Sequence, residues 1–250
     1  MPRIAVLNDI HGNLPALEAV LADVRAIGVD RIVVGGDVFP GPMPHLVLDS
    51  LWTAGPPVDF IYGNGDVALL ECLAGGAPRH FPASYRPSLE WNARVLSDTA
   101  RIAVAAWPMT MRVTMPSLGS VLFCHATPRN ENEIFTAQTS DARLLPIIDA
   151  ARADLVVCGH THMQFDRSVG GTRVVNAGSV GMPFGHPGAD WLLLGDRVEL
   201  RCTAYDVHAA AAAIMRSGYP GAEDFVAKYV VSQPSAGDML ALYAQHELVP

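Results

Sequence analysis

Short runs in which almost every residue is apolar recur along the chain, at "RIAVL", "RIVVG", "VDFIY", "SVLFC", "ADLVVC" and "TRVVN". Runs of this kind predict strands buried on both faces. Between the first two, "LPALEAVLADVRAIG" places its apolar residues at helical spacing. Strands alternating with helices predict an α/β fold with helices packed outside. "MRVTM" and "RVELRCTAY" alternate more and predict an additional, partly antiparallel sheet. The expected architecture is therefore two sheets stacked face to face with helices on the outside.

The rhythm breaks from about residue 67 to 110. "APRHFPASYRP" reads as loop, "SLEWNARVLSDT" as one amphipathic helix with Ser88 as its N-cap, and "WPMTM" closes the insertion. From Asp206 onward, "DVHAAAAAIMRSG" and two further helical segments have apolar spacing and no evident chemistry. Residues 1–205 are thus expected to form one domain, and 206–250 a helical extension that packs on it and offers a contact for a homo-oligomer.

Composition narrows the function classes. A 250-residue chain that is 50% hydrophobic can bury a sizeable core. Its formal net charge of -8 argues against a nucleic-acid platform, so an anionic substrate has to be held locally. No uninterrupted apolar stretch approaches the roughly 18 residues of a membrane span, and "MPRIAVLND" lacks the features of a signal peptide. The expected address is the cytoplasm, with no membrane partner. The four cysteines show no CxxC spacing, and Cys124 and Cys158 read as small buried hydrophobes, so neither a disulfide nor a zinc knuckle is expected. The one lysine, Lys228, is far from any glycine-rich turn, which excludes a P-loop and a Schiff-base mechanism. Phosphate chemistry would need another cation.

The chemistry collects in the segments directly after the apolar runs: "NDIHGN", "GGD", "GNGD", "HATPR", "GHTH" and "NAGS". Ligands of open α/β sheets gather beyond the carboxyl ends of the strands, so these loops are expected to share one crevice. The candidate metal ligands are Asp9, His11, Asp37, Asn64, His125, His160 and His162. Asn64-Gly65 alone would read as a hairpin turn. The DxH and HxH pairs are harder to dismiss, because the pleat of a strand aims residues i and i+2 the same way. Seven donors exceed one tetrahedral zinc site but suffice for two mixed N/O sites that share a carboxylate.

In this order, Asp9-x-His11, Gly36-Asp37, Gly63-Asn64, His125 and Gly159-His160-x-His162 resemble the motifs of calcineurin-like metallophosphoesterases, of the compact bacterial and archaeal phosphodiesterase-like type. "NAGSVGMP" resembles the closing segment of that group. The resemblance covers nearly all of the first 180 residues and implies a four-layer α/β/β/α sandwich. It implies one metal held by Asp9, His11, Asp37 and His162, and a second held by Asp37, Asn64, His125 and His160, with Asp37 bridging. It also implies two divalent transition-metal ions, Mn first, with Fe, Zn, Ni or Co as alternatives. Cations roughly 3.5 to 4 Å apart would activate a bridging water for in-line attack on a phosphate ester. Arg129 resembles a position that binds a phosphate oxygen, and Asp37, Asn64 and Arg129 are the expected catalytic residues. His45 and His186 lie in loops that could rim the crevice.

Many relatives have a histidine where Gly65 stands, acting near the leaving group, with Asp66 orienting it. Its absence predicts a steep dependence on leaving-group basicity, and predicts that Gly65→His would restore activity toward alkyl esters. The leading expectation is a phosphodiesterase acting on a small ester. The same ligands would serve a phosphomonoesterase of the protein-phosphatase or dinucleoside-polyphosphate type. A retromer subunit resembles this fold and serves as an interaction scaffold, a reading that metal-dependent turnover would exclude.

Overall fold

The structure, a computed structural model, describes residues 1–249. Its strands are β1 (Ile4–Leu7), β2 (Arg31–Gly35), β3 (Val58–Ile61), β4 (Thr110–Met115), β5 (Gly119–Cys124), β6 (Leu155–Cys158), β7 (Phe165–Val169), β8 (Thr172–Asn176), β9 (Ala189–Leu194) and β10 (Val198–Thr203). Its helices are α1 (Leu14–Ile27), α2 (Pro44–Trp52), α3 (Asn64–Leu73), α4 (Arg86–Val95), α5 (Asp98–Ala105), α6 (Asp141–Ala150), α7 (Val207–Met215), α8 (Ala222–Phe225) and α9 (Ala236–Tyr243). One sheet has the order β10-β9-β1-β2-β3 and the other β4-β5-β6-β8-β7.

The six apolar runs are the parallel strands, β1-β2-β3 in one sheet and β5-β6-β8 in the other. Strand periodicity divides their side chains between two cores. Ile4, Val6 and Val33 meet Val121, Phe123, Leu155 and Val157 between the sheets. On the opposite face Ala5, Leu7, Ile32 and Val34 pack under α1 and α2 through Leu17, Val20, Val47 and Leu48. Leu122, Val156 and Val174 pack under α6 through Leu144 and Ile148. The result is a four-layer α/β/β/α sandwich.

Two expectations are corrected at the edges. "MRVTM" and "RVELRCTAY" do not form a sheet of their own: β4 and β10 are antiparallel edge strands of different sheets. The insertion does not contain a single helix capped by Ser88. Ser88 is buried within α4, the chain turns at Leu96, and Ser97 caps α5 by accepting from the Ala100 N–H.

The C-terminal helices cover the end of the sandwich near the insertion. Ala210, Ile214, Tyr219, Phe225 and Val230 pack with Met43, Trp91 and Met182. Among the described residues, no helix is long and apolar enough to cross a membrane.

Candidate metal centre

Asp9 and His11 follow β1, Asp37 follows β2, Asn64 opens α3 after β3, His125 follows β5, and His160 and His162 follow β6. The pleat does not align the DxH and HxH pairs, contrary to expectation, since β1 ends at Leu7 and β6 at Cys158. Asp9, His11, Asp37, His160 and His162 instead adopt left-handed backbone, with φ of 54°, 45°, 53°, 68° and 58°. Non-glycine residues in this region cost about 1–3 kcal/mol each and persist only where their surroundings hold them. Here the first two loops hold each other: the N–H groups of Asp9, His11 and Gly12 donate to the carbonyls of Gly36, Asp37 and Val38, each at 3.0 Å. The His160 N–H donates to Asp9 Oδ2 at 2.9 Å.

The side chains converge. Asp37 Oδ1 lies 3.5 Å from His125 Nε2 and Asp37 Oδ2 lies 3.6 Å from His11 Nε2, so one carboxylate faces two imidazoles with different oxygens. Asp9 Oδ1 lies 3.2 Å from His162 Nε2 and 3.9 Å from both His11 and His125 Nε2. Asn64 Oδ1 is 3.1 Å from His125 Nε2. The His160 ring packs edge-on against that of His125, with centroids 5.0 Å apart.

Backbone carbonyls set the tautomers. Nδ1 of His11, His125 and His162 faces Pro40 O, Gly35 O and Met182 O at 3.3, 3.0 and 2.8 Å. A carbonyl only accepts, so Nδ1 carries the proton and, in the neutral ring, Nε2 presents its lone pair to the centre. His11 Nε2 and His162 Nε2 are 3.3 Å apart, and the buried Asp9 Oδ1 beside them has no hydrogen-bond partner. Lone pairs and an orphaned carboxylate oxygen this close require positive charge among them. Burial, then His162, pushes His11 down to about 3, and burial, then His125, does the same to His160, so these rings are neutral donors near pH 7. Burial and the adjacent Asp9 raise Asp37 well above the usual carboxylate range. Burial would raise Asp9 too, but the histidines around it, His162 foremost, hold it below that range. The donor set fits divalent metal ions.

Asn64-Gly65 opens a helix rather than turning a hairpin. Asp66 has a role that the motifs did not indicate. Its buried carboxylate accepts from the N–H groups of Asp37 and Gly63, both at 2.9 Å, and of Phe39 at 3.1 Å, and so ties the loops after β2 and β3 together. Burial and the Asp37 charge push Asp66 up to about 8, while the N–H donors oppose that rise. Gly65 is buried, and its N–H donates to Asp37 Oδ1 at 2.7 Å. Its φ is not left-handed, yet a Cβ there would stand 2.2 Å from the Phe39 carbonyl oxygen. This corrects the reading of Gly65 as a vacancy open to a histidine.

Arg129 turns to Glu133, with Nε 3.0 Å from both carboxylate oxygens and Nη2 2.6 Å from Oε1. His45 is exposed on α2, and His186 pairs with Asp190 at 3.2 Å. The "NAGS" segment supports the ligand loops: Asn176 Nδ2 donates to Gly159 O at 2.6 Å, and the Ser179 hydroxyl donates to Asp9 O at 2.7 Å. A cleft of about 270 Å³ opens beside Asn64, walled by Glu71, Arg79, His80, Phe81 and Asn130. No motif pointed to the insertion residues in this wall.

Comparison with known proteins gives a consistent picture. A family model described as the calcineurin-like phosphoesterase superfamily domain matches residues 3–195. An uncharacterized protein of Methanocaldococcus jannaschii is 25% identical over 244 residues, covering 87% of this chain and 93% of the relative. The crystal structure of a hypothetical protein from Pyrococcus horikoshii superposes with a TM-score of 0.76 at 19% identity, covering 93% of this chain and all of the other. A metallophosphoesterase from Sphaerobacter thermophilus superposes with a TM-score of 0.71 at 24% identity, covering 90% and 97%.

Proposed function

Because the chain belongs to the calcineurin-like phosphoesterase superfamily, we propose that it hydrolyses phosphate esters with two divalent cations, and that its substrates are small phosphodiesters. The observation that carries this reading is the Asp37 carboxylate, which offers one oxygen to the His125 side of the centre and the other to the His11 side. Asp9, His11, Asp37 and His162 would hold one cation, and Asp37, Asn64, His125 and His160 the other. When bound, such a pair supplies charge neutralisation and activation of water for an in-line displacement. Nitrogen and oxygen donors without sulfur suit Mn, with Fe, Zn, Ni or Co as alternatives.

The residues of the chain do the positioning. The carbonyls of Pro40, Gly35 and Met182 aim three Nε2 lone pairs at the centre, and Asp66 fixes the loop that carries Asp37. The cleft beside Asn64 leaves room for an organic substituent of a phosphate ester. Arg129 would reach a phosphate oxygen through Nη1, since Nε and Nη2 are engaged by Glu133.

The test is a screen of mono- and diesters with protein stripped by chelator and reloaded with single metals. Diester turnover that returns with metal supports the reading. Turnover of neither class with any metal would favour an interaction module. Reloading should also raise the thermal midpoint, since ligand at 100 times its Kd adds about 2.7 kcal/mol per site.

His80, exposed in the wall of the cleft beside Asn64, would be the imidazole to protonate a leaving group, in the role that Gly65 cannot fill. His80→Ala is expected to slow alkyl diesters by about 10²-fold, the lower end of general-acid assistance. Nitrophenyl esters, whose leaving groups need no proton, should change little. Equal slowing of both classes would assign the proton to water or to another group.

A further inference from the structure

We propose that His186, Asp190 and Cys202 form a second, separate cation site for Zn2+ or an ion of similar softness, at the open end of the β9-β10 pair. Asp190 and Cys202 are direct partners across the antiparallel ladder, so their side chains share one face. The loop before β9 folds His186 over that face. Its Nε2 lies 3.2 Å from Asp190 Oδ2 and its Nδ1 lies 3.9 Å from Cys202 Sγ. One donor atom from each of the three residues falls within 4.8 Å of the others.

A bare ion pair does not account for this cluster. Asp190 is fully buried, and although His186 Nε2 approaches Oδ2 to 3.2 Å, neither carboxylate oxygen is in hydrogen-bonding geometry with a partner among the described residues. A buried carboxylate left in that state is costly unless a cation completes it. The loop is shaped around the donors: Gly188 has φ of 123°, and a Cβ there would come within 2.5 Å of Cys202 Sγ. The next turn of chain is tied down by the Gly185 N–H, which donates to Pro234 O at 2.9 Å.

Thiolate, imidazole and carboxylate together select Zn2+ over Mn2+ or Mg2+. Three protein donors leave one position for water or an exogenous ligand. As the Sγ–metal bond forms, the Cys202 S–H bond breaks and its proton passes to solvent. A cysteine nucleophile activated by His186 would be the other use of such a trio. Burial, then Asp190, pushes the thiol up to about 11, however, where an activated thiol would be lowered. No residue is shared with the seven-residue centre, so this proposal stands independently of the one above.

The seven-residue centre contains no sulfur donor, which makes the test specific. Full-length protein stripped by chelator is titrated with Cd2+, and the thiolate-to-metal charge-transfer absorption is followed. Wild type should develop the band with saturation at one equivalent of thiolate-bound metal, and Cys202→Ser should lack it. His186→Ala, altered only on the exposed loop, should weaken Cd2+ binding at this band by about tenfold or more. It carries the test by itself if Cys202→Ser does not fold. No band in the wild type, a band that persists in Cys202→Ser, or an unchanged affinity in His186→Ala would overturn the proposal.

Discussion

Asp37→Asn is expected to abolish metal-dependent turnover while leaving the fold intact, and to reduce bound metal from two ions per chain to at most one. The substitution is isosteric. Asp37 Oδ1 accepts from the Gly65 N–H at 2.7 Å, so the amide will keep its oxygen there and place its NH2 at the Oδ2 position. That position faces His11 Nε2 at 3.6 Å, so the amide would present an N–H to the lone pair that would otherwise be offered to a metal. Loss of one electrostatic stabiliser of the transition state, here a cation that Asp37 would help to hold, is expected to cost at least the roughly 10² to 10³ in rate of a single donor. Burial and Asp9 hold the Asp37 carboxyl well above its usual range, so its ionised form is disfavoured in the metal-free fold. Removing that charge should leave the chelator-treated variant at least as stable as the chelator-treated wild type. Thermal melts with and without chelator, beside elemental analysis, separate this from simple unfolding. A variant that still holds two ions would sink the shared-carboxylate arrangement.

The six parallel strands were legible because they are apolar on both faces, and each ends in a loop whose donors have few structural uses. The antiparallel strands were less so. β7, "FDRSV", has a half-exposed polar middle and gives no run, while β9, "ADWLLL", opens with a buried carboxylate that reads as a loop residue. Picking out the candidate ligands took only their order along the chain. Their aim did not follow from strand periodicity, since it depends on five left-handed residues held by hydrogen bonds between loops far apart in sequence. Asp66 shows the same limit: its partners are backbone N–H groups, which leave no mark on composition or spacing. Arg129 shows the converse, because a basic residue after His125 suggests an anion, and the structure places the buried Glu133 against it.

Gly65→His is expected to lower both stability and metal content, and to give no gain with alkyl esters. From the sequence, the glycine reads as a missing acid that a histidine would restore. In the fold it is the point where the start of α3 presses on the loop after β2. Any Cβ would stand 2.2 Å from Phe39 O and 3.1 Å from both Asp37 Oδ1 and Pro40 Cδ. The nearest of these is a backbone atom in a loop that Asp66 already clamps, so the strain cannot be relieved by turning a side chain. Overpacking of this kind costs about 1 to 3 kcal/mol, and the groups pressed here include the Asp37 carboxylate. Gly65→Ala separates the two effects, since it adds the Cβ without an imidazole. It should lose stability and metal nearly as far as Gly65→His does, with both variants slowed on nitrophenyl and alkyl esters alike. If Gly65→His instead kept two metals and gained selectively on alkyl esters, the loop would have moved to admit the ring, and the close approach at Phe39 would not be what keeps a side chain from this position.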